Sequence, residues 1–455
     1  MQVALSRRNF LRALGAGGAC LATGRMLDAA VPRPDRASEK LLDEMERRSC
    51  HYFYDMGDPN TGLIRDRASG HEPYAASVSS IAATGFGLSA LAIGVGRGYL
   101  DRNLCRARVV TTLRFLCERA DQEHGFFYHF MDSDSGKRIW KSEASSVDTA
   151  WLLCGVLHSS AFWDDDEIRK YSAELLERAD WEWMLNGKAT LCHGWTPEGG
   201  FLHYRWDAYT EVLAMYLLAM SSEKHPIPAS CWRAFARPMH EYQGIFFIDA
   251  GAPLFVHQYS HAWFDFRGQQ DEFADYYRNS VRATEAHRLF CLSYSHEFPW
   301  YTPDMWGITA SDSRSGYRIW CSPTSPPDGT LVPCAAGGSL VFLPGSCGAV
   351  LQNMMDQYGD KAWSKYGFVD AFHPKEQWFS RYVLGIDQGV MLLMTENMRS
   401  GSVWSAVMNT PQAKRAMQAA GFRSRTTDDG DETVRLSGSS PPAIQTAPSI
   451  ARQVR

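Results

Sequence analysis

Acidic residues at three places in this 455-residue chain have the surroundings that acid–base chemistry requires. Glu211 heads an apolar run, 212–219, with Tyr209 beside it and Trp206 close in sequence. A carboxyl in an apolar setting holds its proton toward neutral pH, because burial penalises the charged form. Asp387 lies between Gly385 and Gly389, just ahead of Val390-Met391-Leu392-Leu393-Met394. Glu143 follows Trp140 and Lys141 in a loop, and Asp148 precedes the apolar stretch that Thr149 opens. One protonated carboxyl and one ionised carboxylate facing a common space make a general acid–base pair. Each position also has a plainer use: a first-turn acid on a helix dipole for Glu211, an N-cap for Asp387 and Asp148. Glu396 comes nine residues after Asp387, half a turn out of phase on a continuous helix. Only one of the two can face a cleft, and Asp387 is the one expected there.

Such groups need a frame. Helical periodicity runs through 41–54, 78–93, 106–118, 147–162, 169–185, 209–220 and 228–242, then 273–290, 335–342, 346–358, 388–397 and 411–420. Strand-like alternation is sparse, at 126–131, 244–248 and 316–320. The stretch from Ala150 to Leu157 is apolar nearly all round, so its helix is buried on most sides. A dozen or so helices, half of them deeply buried, suit an inner ring inside an outer one, with loops at one end forming a cleft. No repeat or linker interrupts residues 40–422, which points to one domain. Aromatic residues make up 13% of the chain, which suits a heavy core or a sugar-binding cleft.

The net charge of −5 offers no basic field for nucleic acid. No apolar run reaches the length of about 18 residues that a membrane span needs. The eleven cysteines are scattered without Cys-x-x-Cys or zinc-finger spacing, and the fourteen histidines are dispersed. Buried free thiols are expected, with no metal and no cofactor. Phosphate loops, nucleotide fingerprints and nucleophile elbows are absent, which removes kinases, dehydrogenases and α/β-hydrolases. Near the start, Ser6-Arg7-Arg8-Asn9-Phe10-Leu11-Arg12 and the Gly/Ala-rich residues 13–19 resemble a twin-arginine export signal. Residues 1–37 are therefore expected to be signal and linker, the export machinery a partner, and the periplasm or the exterior the destination. The folded domain is expected over 38–422. The tail, 423–455, carries Thr426-Thr427-Asp428-Asp429 and Ser437-Gly438-Ser439-Ser440, lacks aromatics, and is expected to be disordered.

Polar-aromatic motifs recur in order along the domain. They are Thr84-Gly85-Phe86-Gly87-Leu88, Gly125-Phe126-Phe127-Tyr128-His129-Phe130, Ser146-Val147-Asp148-Thr149-Ala150, Gly194-Trp195-Thr196-Pro197-Glu198 and Tyr209-Thr210-Glu211. Ser260-His261-Ala262-Trp263-Phe264-Asp265-Phe266-Arg267-Gly268, Trp306-Gly307-Ile308-Thr309-Ala310-Ser311-Asp312 and Asp328-Gly329-Thr330 follow. Tyr366-Gly367-Phe368-Val369-Asp370-Ala371-Phe372 and Gly385-Ile386-Asp387-Gln388-Gly389 complete the set. Over residues 41–422 the chain resembles the glycoamylase-like domain family, which includes the bacterial endo-β-1,2-glucanases of glycoside hydrolase family 144.

The resemblance implies an all-α fold, an (α/α)6 toroid with short β-hairpins in its loops. It also implies an inverting glycosidase that cuts β-1,2-glucan internally to short oligosaccharides such as sophorose. Glu211 matches a functional carboxylate of the family and takes the acid's role. The base stays open among Asp387, Glu143 and a bridging water chain. Aromatic faces stack on pyranose rings, and Arg and Asp fork hydrogen bonds to hydroxyls. On that ground Asp148, Trp195, Tyr209, Trp263, Asp265, Arg267, Trp306, Asp312 and Trp378 are the expected substrate-binding residues. The rival readings are a retaining transglycosylase or a hydrolase of another glucan, a polysaccharide lyase, and a non-catalytic periplasmic glucan-binding protein.

Overall fold

The structure is a computed structural model and describes residues 36–72 and 77–425. The expected signal, residues 1–37, falls almost wholly outside this range. The described helices are α1 (Arg36–Met56), α2 (Ile81–Gly96), α3 (Arg102–Glu118), α4 (Ser146–Phe162) and α5 (Asp166–Arg178). They continue with α6 (Trp181–Leu185), α7 (Leu213–Ser221), α8 (Ser230–Ala234), α9 (Tyr259–Trp263) and α10 (Tyr276–Ser293). Then come α11 (Pro333–Gly337), α12 (Pro344–Ala362), α13 (Gly385–Arg399), α14 (Ser402–Met408) and α15 (Pro411–Ala419). Most described strands form two-stranded antiparallel hairpins or ribbons, and no barrel is built from them.

Burial sorts the helices into two layers. Every residue of α2 from Ile81 to Gly94 is buried, as is every residue of α7, α9 and α11. α4 and α13 are buried along nearly their whole length. Helices with no polar face must be enclosed on all sides. These six form the inner ring: α2 packs on α4, α4 on α7, α7 on α9, and α11 on α13, which returns to α2. Between α9 and α11 the Gln258 amide donates to the Ala335 carbonyl at 3.0 Å. Amphipathic helices alternate with them along the chain. α5, for example, buries Ile168, Tyr171, Ser172, Leu175 and Leu176, a single stripe at helical spacing. α1 and α3 lie on α2, α5 on α4, α12 on α11, and α15 on α7. α14 contacts α4, α9 and α13 at the ring's far end, where the Trp404 indole donates to the His261 carbonyl at 2.6 Å. The double ring of helices is thus the observed architecture.

Several local expectations need correction. The run 228–242 is not one helix but α8 followed by the strand Met239–Tyr242, which pairs with Ile245–Ile248. Gln243 and Gly244 both take positive φ, the turn that suits a twisted hairpin. Helix is confined to α11 within 335–342, and α9 and α14 were not expected at all. Ordered pairing also continues just past the expected domain end at 422, because Arg423 and Ser424 pair with Gln270 and Gln269. The fold therefore extends past 422, and residues 426–455 lie outside the described range. The ten described cysteines are all free, eight of them buried. Among the described residues no helix is long and apolar enough to cross a membrane.

Two glycines bring neighbouring helices of the inner ring into backbone contact. A Cβ on Gly155 of α4 would land on the Gly85 carbonyl oxygen, and one on Gly85 of α2 would land on the Trp151 carbonyl. The backbones of α2 and α4 touch directly there, which only glycine permits. Gly155→Ala is therefore expected to destabilise the fold by about 1–3 kcal/mol, read from urea or guanidinium midpoints. Gly345→Ala, exposed on α12 with open space around it, should change stability by well under about 1 kcal/mol. Equal midpoints for the two variants would contradict a ring ordered by this contact.

Candidate active site

Inner helices with no polar face can present chemistry only at their ends, and their N-terminal ends converge. Gly385 N at the start of α13 donates to the Asp66 carbonyl at 2.8 Å, and Ile81 N at the start of α2 donates to the His129 carbonyl at 3.1 Å. Ser260 Oγ of α9 donates to the Glu211 carbonyl at 3.0 Å and accepts from Ala214 N at 3.0 Å. α7 has no side-chain cap of its own. Ser260 therefore supplies the missing cap from the neighbouring helix and fixes the turn that carries Glu211.

Glu211 is half-buried in that turn, two residues before α7 begins. Burial pushes its carboxyl up from 4.5 to about 7, with Asp148 adding repulsion and hydrogen bonds from its own backbone and Thr210 opposing. An acid poised near neutrality is what protonation of a leaving group requires.

Asp387 is the third residue of α13, buried, and not the helix N-cap, which is Leu384. Its carboxyl meets that of Asp370, which is also buried. Asp370 Oδ2 accepts from the backbone N of Asp312 at 2.6 Å. Asp312 accepts in turn from Ser380 Oγ at 2.9 Å and pairs with Arg67 at 3.3 Å, and Arg67 pairs with Asp66 at 3.0 Å. Besides the contact between the two carboxyls, the Cys334 thiol of α11 hydrogen-bonds Asp387, and Asp387 Oδ2 and Asp370 Oδ1 find no other partner. Both carboxyls are raised, first by burial, and Asp370 further by the charge of Asp387. Two touching carboxyls in a dry site cannot both ionise, so the pair keeps a proton to higher pH than either would alone. Glu396, at the other end of α13, pairs with Arg97 at 2.7 Å. Nine residues of helix set it about 13 Å from Asp387 along the axis.

A second group lies at the head of α4. His129 Nδ1 stands 3.2 Å from Glu143 Oε1 and 3.6 Å from Asp148 Oδ2. Burial works against the imidazolium, but Asp148 and Glu143 lift it to about 9. Burial would raise Glu143, yet the hydrogen bond and charge of His129 hold it below 4.5, so it is ionised. Burial keeps Asp148 raised despite His129 and the 2.6 Å bond from Ser145 Oγ. Asp148 is not the N-cap, which is Ser145. The ligand atoms of His129, Glu143 and Asp148 lie within 4.8 Å of one another, which could hold a cation. A side chain at Gly194 would collide with Glu143, so the strand Gly194–Thr196, paired with Ala144–Ser145, sets its position.

The aromatic expectations divide. Trp195 is half-buried on that strand, and Trp378 is half-buried on a hairpin two residues before Ser380, so both stay near the mouth. Trp263 does not: it is fully buried, stacked on Trp151 at 5.8 Å, with its indole donating to Ser89. Trp306 and Tyr209 are also fully buried, and Tyr209 stacks parallel to Tyr276 and bonds His257 at 3.3 Å. None of these three faces is available to a ligand. Asp265 and Arg267 follow the C-terminus of α9, where they pair at 2.8 Å and Arg267 covers Trp404. They belong to the opposite end of the ring and leave the candidate site. Asp312 stays, as the backbone donor to Asp370.

The structure adds residues that were not singled out. Asp370 and His129 sat inside the quoted motifs without a role. Tyr259, the first residue of α9, feels both Asp387 and Glu211, and Tyr317 feels Asp387 and Asp370. Both hydroxyls stay protonated and can donate. His193 stacks on Trp206 at 3.7 Å, and the Trp206 indole donates to Ser146 at 2.9 Å, forming a flat half-buried surface beside Glu143.

Comparison with known proteins finds likeness in sequence and in fold. Residues 203–411 match the Glycoamylase family, described as "Putative glucoamylase". An exo β-1,2-glucooligosaccharide sophorohydrolase (non-reducing end) of Parabacteroides distasonis is 26% identical over 419 residues. That alignment covers 84% of this chain, which spans 57% of the relative's length. An endo-β-1,2-glucanase from Chitinophaga pinensis, in complex with sophorotriose and glucose, superposes with a TM-score of 0.78 at 28% identity, covering 85% of this chain and 99% of that one. A β-1,2-glucanase from Parabacteroides distasonis shares the fold with a TM-score of 0.79 at 24% identity, covering 86% of this chain and 60% of that one. The resemblance to the glycoamylase-like family and the toroidal fold it implied are borne out.

The raised carboxyl of Glu211 has a consequence for stability. The folded protein holds that proton to about 7 and the unfolded chain releases it near 4.5. Its contribution is present below the unfolded value and is lost as pH rises toward 7. Glu211→Gln is therefore expected to be more stable than the parent above pH 7, by roughly 2–3 kcal/mol at most. The difference should vanish near pH 4. Denaturation curves across this range check it, and a constant difference would contradict a buried, raised Glu211.

Proposed function

We propose that this chain is a glycoside hydrolase that cleaves β-1,2-linked glucan with inversion, with Glu211 as the acid and Asp387 as the base. The observation that carries the reading is the Glu211 carboxyl at the head of α7, poised at about 7 in a mouth shared with ionisable carboxylates. Glu211 gives its proton to the glycosidic oxygen as the bond to the anomeric carbon breaks and the electron pair leaves with that oxygen. Water adds to the anomeric carbon from the opposite face, and its proton passes to the base. Asp387 is held by neutral partners, the Asp370 carboxyl and the Cys334 thiol, whereas Glu143 is paired with the charged His129. That difference favours Asp387 for receiving the water's proton and Glu143 with Asp148 for orienting sugar hydroxyls. Trp195, Trp378 and the His193–Trp206 surface supply faces for pyranose rings.

The β-1,2 linkage is supported by the names of the relatives. Internal cutting follows the Chitinophaga enzyme, while release of sophorose from a chain end is what the Parabacteroides relative is named for; product sizing separates the two. Export to the periplasm rests on the pattern at residues 6–12, outside the described residues.

Glu211→Gln is expected to lower kcat on β-1,2-glucan by about 10²–10⁴-fold while the protein stays folded. A panel of β-1,2-, β-1,3-, β-1,4- and α-1,4-glucans, with proton NMR of the product anomer, tests linkage and inversion. An unchanged rate in the variant removes Glu211 as the acid. The pH–rate profile should fall above about 7, where Glu211 loses its proton. Its acidic limb distinguishes the bases. Asp387, pushed up to about 6, places that limb near 6, whereas Glu143, held below 4.5, would place it lower.

A further inference from the structure

The segment 138–142, just ahead of Glu143, has a conformation that the roles assigned so far do not use. Ser142 N donates to the Ile139 carbonyl at 3.0 Å, closing a tight turn whose two central residues are Trp140 and Lys141. Both take left-handed φ, 53° and 55°. Among the described residues they are the one consecutive non-glycine pair to do so; His124, Asn186 and Gln243 each sit beside a glycine in their turns. A turn of this kind prefers Asn-Gly, because larger side chains are strained there.

The strain is held from both sides. Arg138 Nε donates to the Ser142 carbonyl at 2.5 Å, while its two terminal nitrogens grip Glu198 at 2.8 and 2.9 Å. Ser142 Oγ donates to the Phe130 carbonyl at 3.1 Å, and Ile139 N donates to the same carbonyl at 3.2 Å. The residue so presented is an indole with 69% of its surface exposed. Its ring lies 5.2 Å from that of Phe130, which stacks at 4.0 Å on His129, the partner of Glu143. A strained backbone persists only where its surroundings over-determine it, and such positions cluster at ligand sites. A large exposed ring is otherwise an unfavourable choice for a turn.

We propose that Trp140 is a stacking platform for a pyranose ring at the rim of the cleft, an outer subsite that makes the protein prefer longer glucan chains. This rests on the function proposed above. The occupant is a glucose unit of the same chain whose scissile bond lies at Glu211, received on the exposed ring face. The Arg138–Glu198 clamp holds the platform, and neither it nor Lys141 need touch the sugar.

The test compares Trp140→Gly, Trp140→Phe and Lys141→Gly with the parent on short and long β-1,2-gluco-oligosaccharides. Trp140→Gly relieves the turn and removes the ring, so KM for long chains should rise about tenfold. The shortest cleaved oligosaccharide should keep its kcat/KM. Trp140→Phe should recover most of the long-chain KM. Lys141→Gly should leave KM alone while raising Tm by about 2 °C, since strain is released and the ring is kept. A Trp140→Gly protein that matches the parent on long chains, or that loses equally on short and long ones, overturns the platform and leaves the hydrolase intact. Absence of turnover of any β-1,2-gluco-oligosaccharide by the parent overturns the function and the platform with it.

Discussion

Desolvation of carboxyl groups at the ends of fully buried helices is the constraint on which the rest of the structure depends. The inner helices are buried on every side, and α2 and α4 press together until only glycine fits between them. Polar groups along their flanks are tied up inside the ring, as Ser89 is by the Trp263 indole and Gln388 by Ser49. Their termini must therefore carry whatever chemistry the ring has, and the N-termini carry Asp148, Glu211, Tyr259 and Asp387. A carboxylate near a helix N-terminus gains something from the dipole. Here burial outweighs that gain, and Glu211, Asp370 and Asp387 all hold protons more tightly than carboxyls in water.

The two ends of the ring give their acidic residues different company. At the far end Glu396 is matched to Arg97, and Arg399 binds Glu39, Asp43 and the wholly buried Glu46. Arginine there pairs with the acids and ties the C-terminal ends of α2 and α13 to α1, although burial and the charge of Glu396 still push Glu46 up to about 8. At the mouth the charges acting on Asp387 come from further acids, Asp312 and Asp66. Arg67 forms its ion pairs with those two and acts on Asp370 only through space. One end is a structural clasp and the other is left electrostatically incomplete, as a site for proton transfer must be.

Much of this was legible in the sequence. Periodicity located the long helices, because a wholly apolar helix and a one-stripe helix leave different patterns. Glu211 and Asp387 were legible because each opens an apolar run. Trp263 and Trp306 misled because their sequence neighbours are polar. Ser260, His261 and Thr309 look like loop residues, yet they are buried and hydrogen-bonded inside the ring. Asp265 and Arg267 misled for a topological reason: α9 is only five residues long, and sequence does not reveal which of its ends faces the mouth. Asp370 was passed over because a lone acid between Val369 and Ala371 gains meaning only when Asp387 is brought against it. The aromatic excess, similarly, turned out to be mostly core, with a minority of rings at the mouth.

The central claim is that a proton held on Glu211 is delivered to a β-1,2-glycosidic oxygen. It is tested most directly by a crystal structure of the Glu211→Gln protein with a β-1,2-gluco-oligosaccharide bound across the mouth. The account predicts the residue-211 amide within hydrogen-bond reach, about 3 Å, of one glycosidic oxygen, with Asp387 on the opposite face of the adjoining sugar. An oligosaccharide bound with every glycosidic oxygen beyond reach of residue 211, even through a single water, would contradict it.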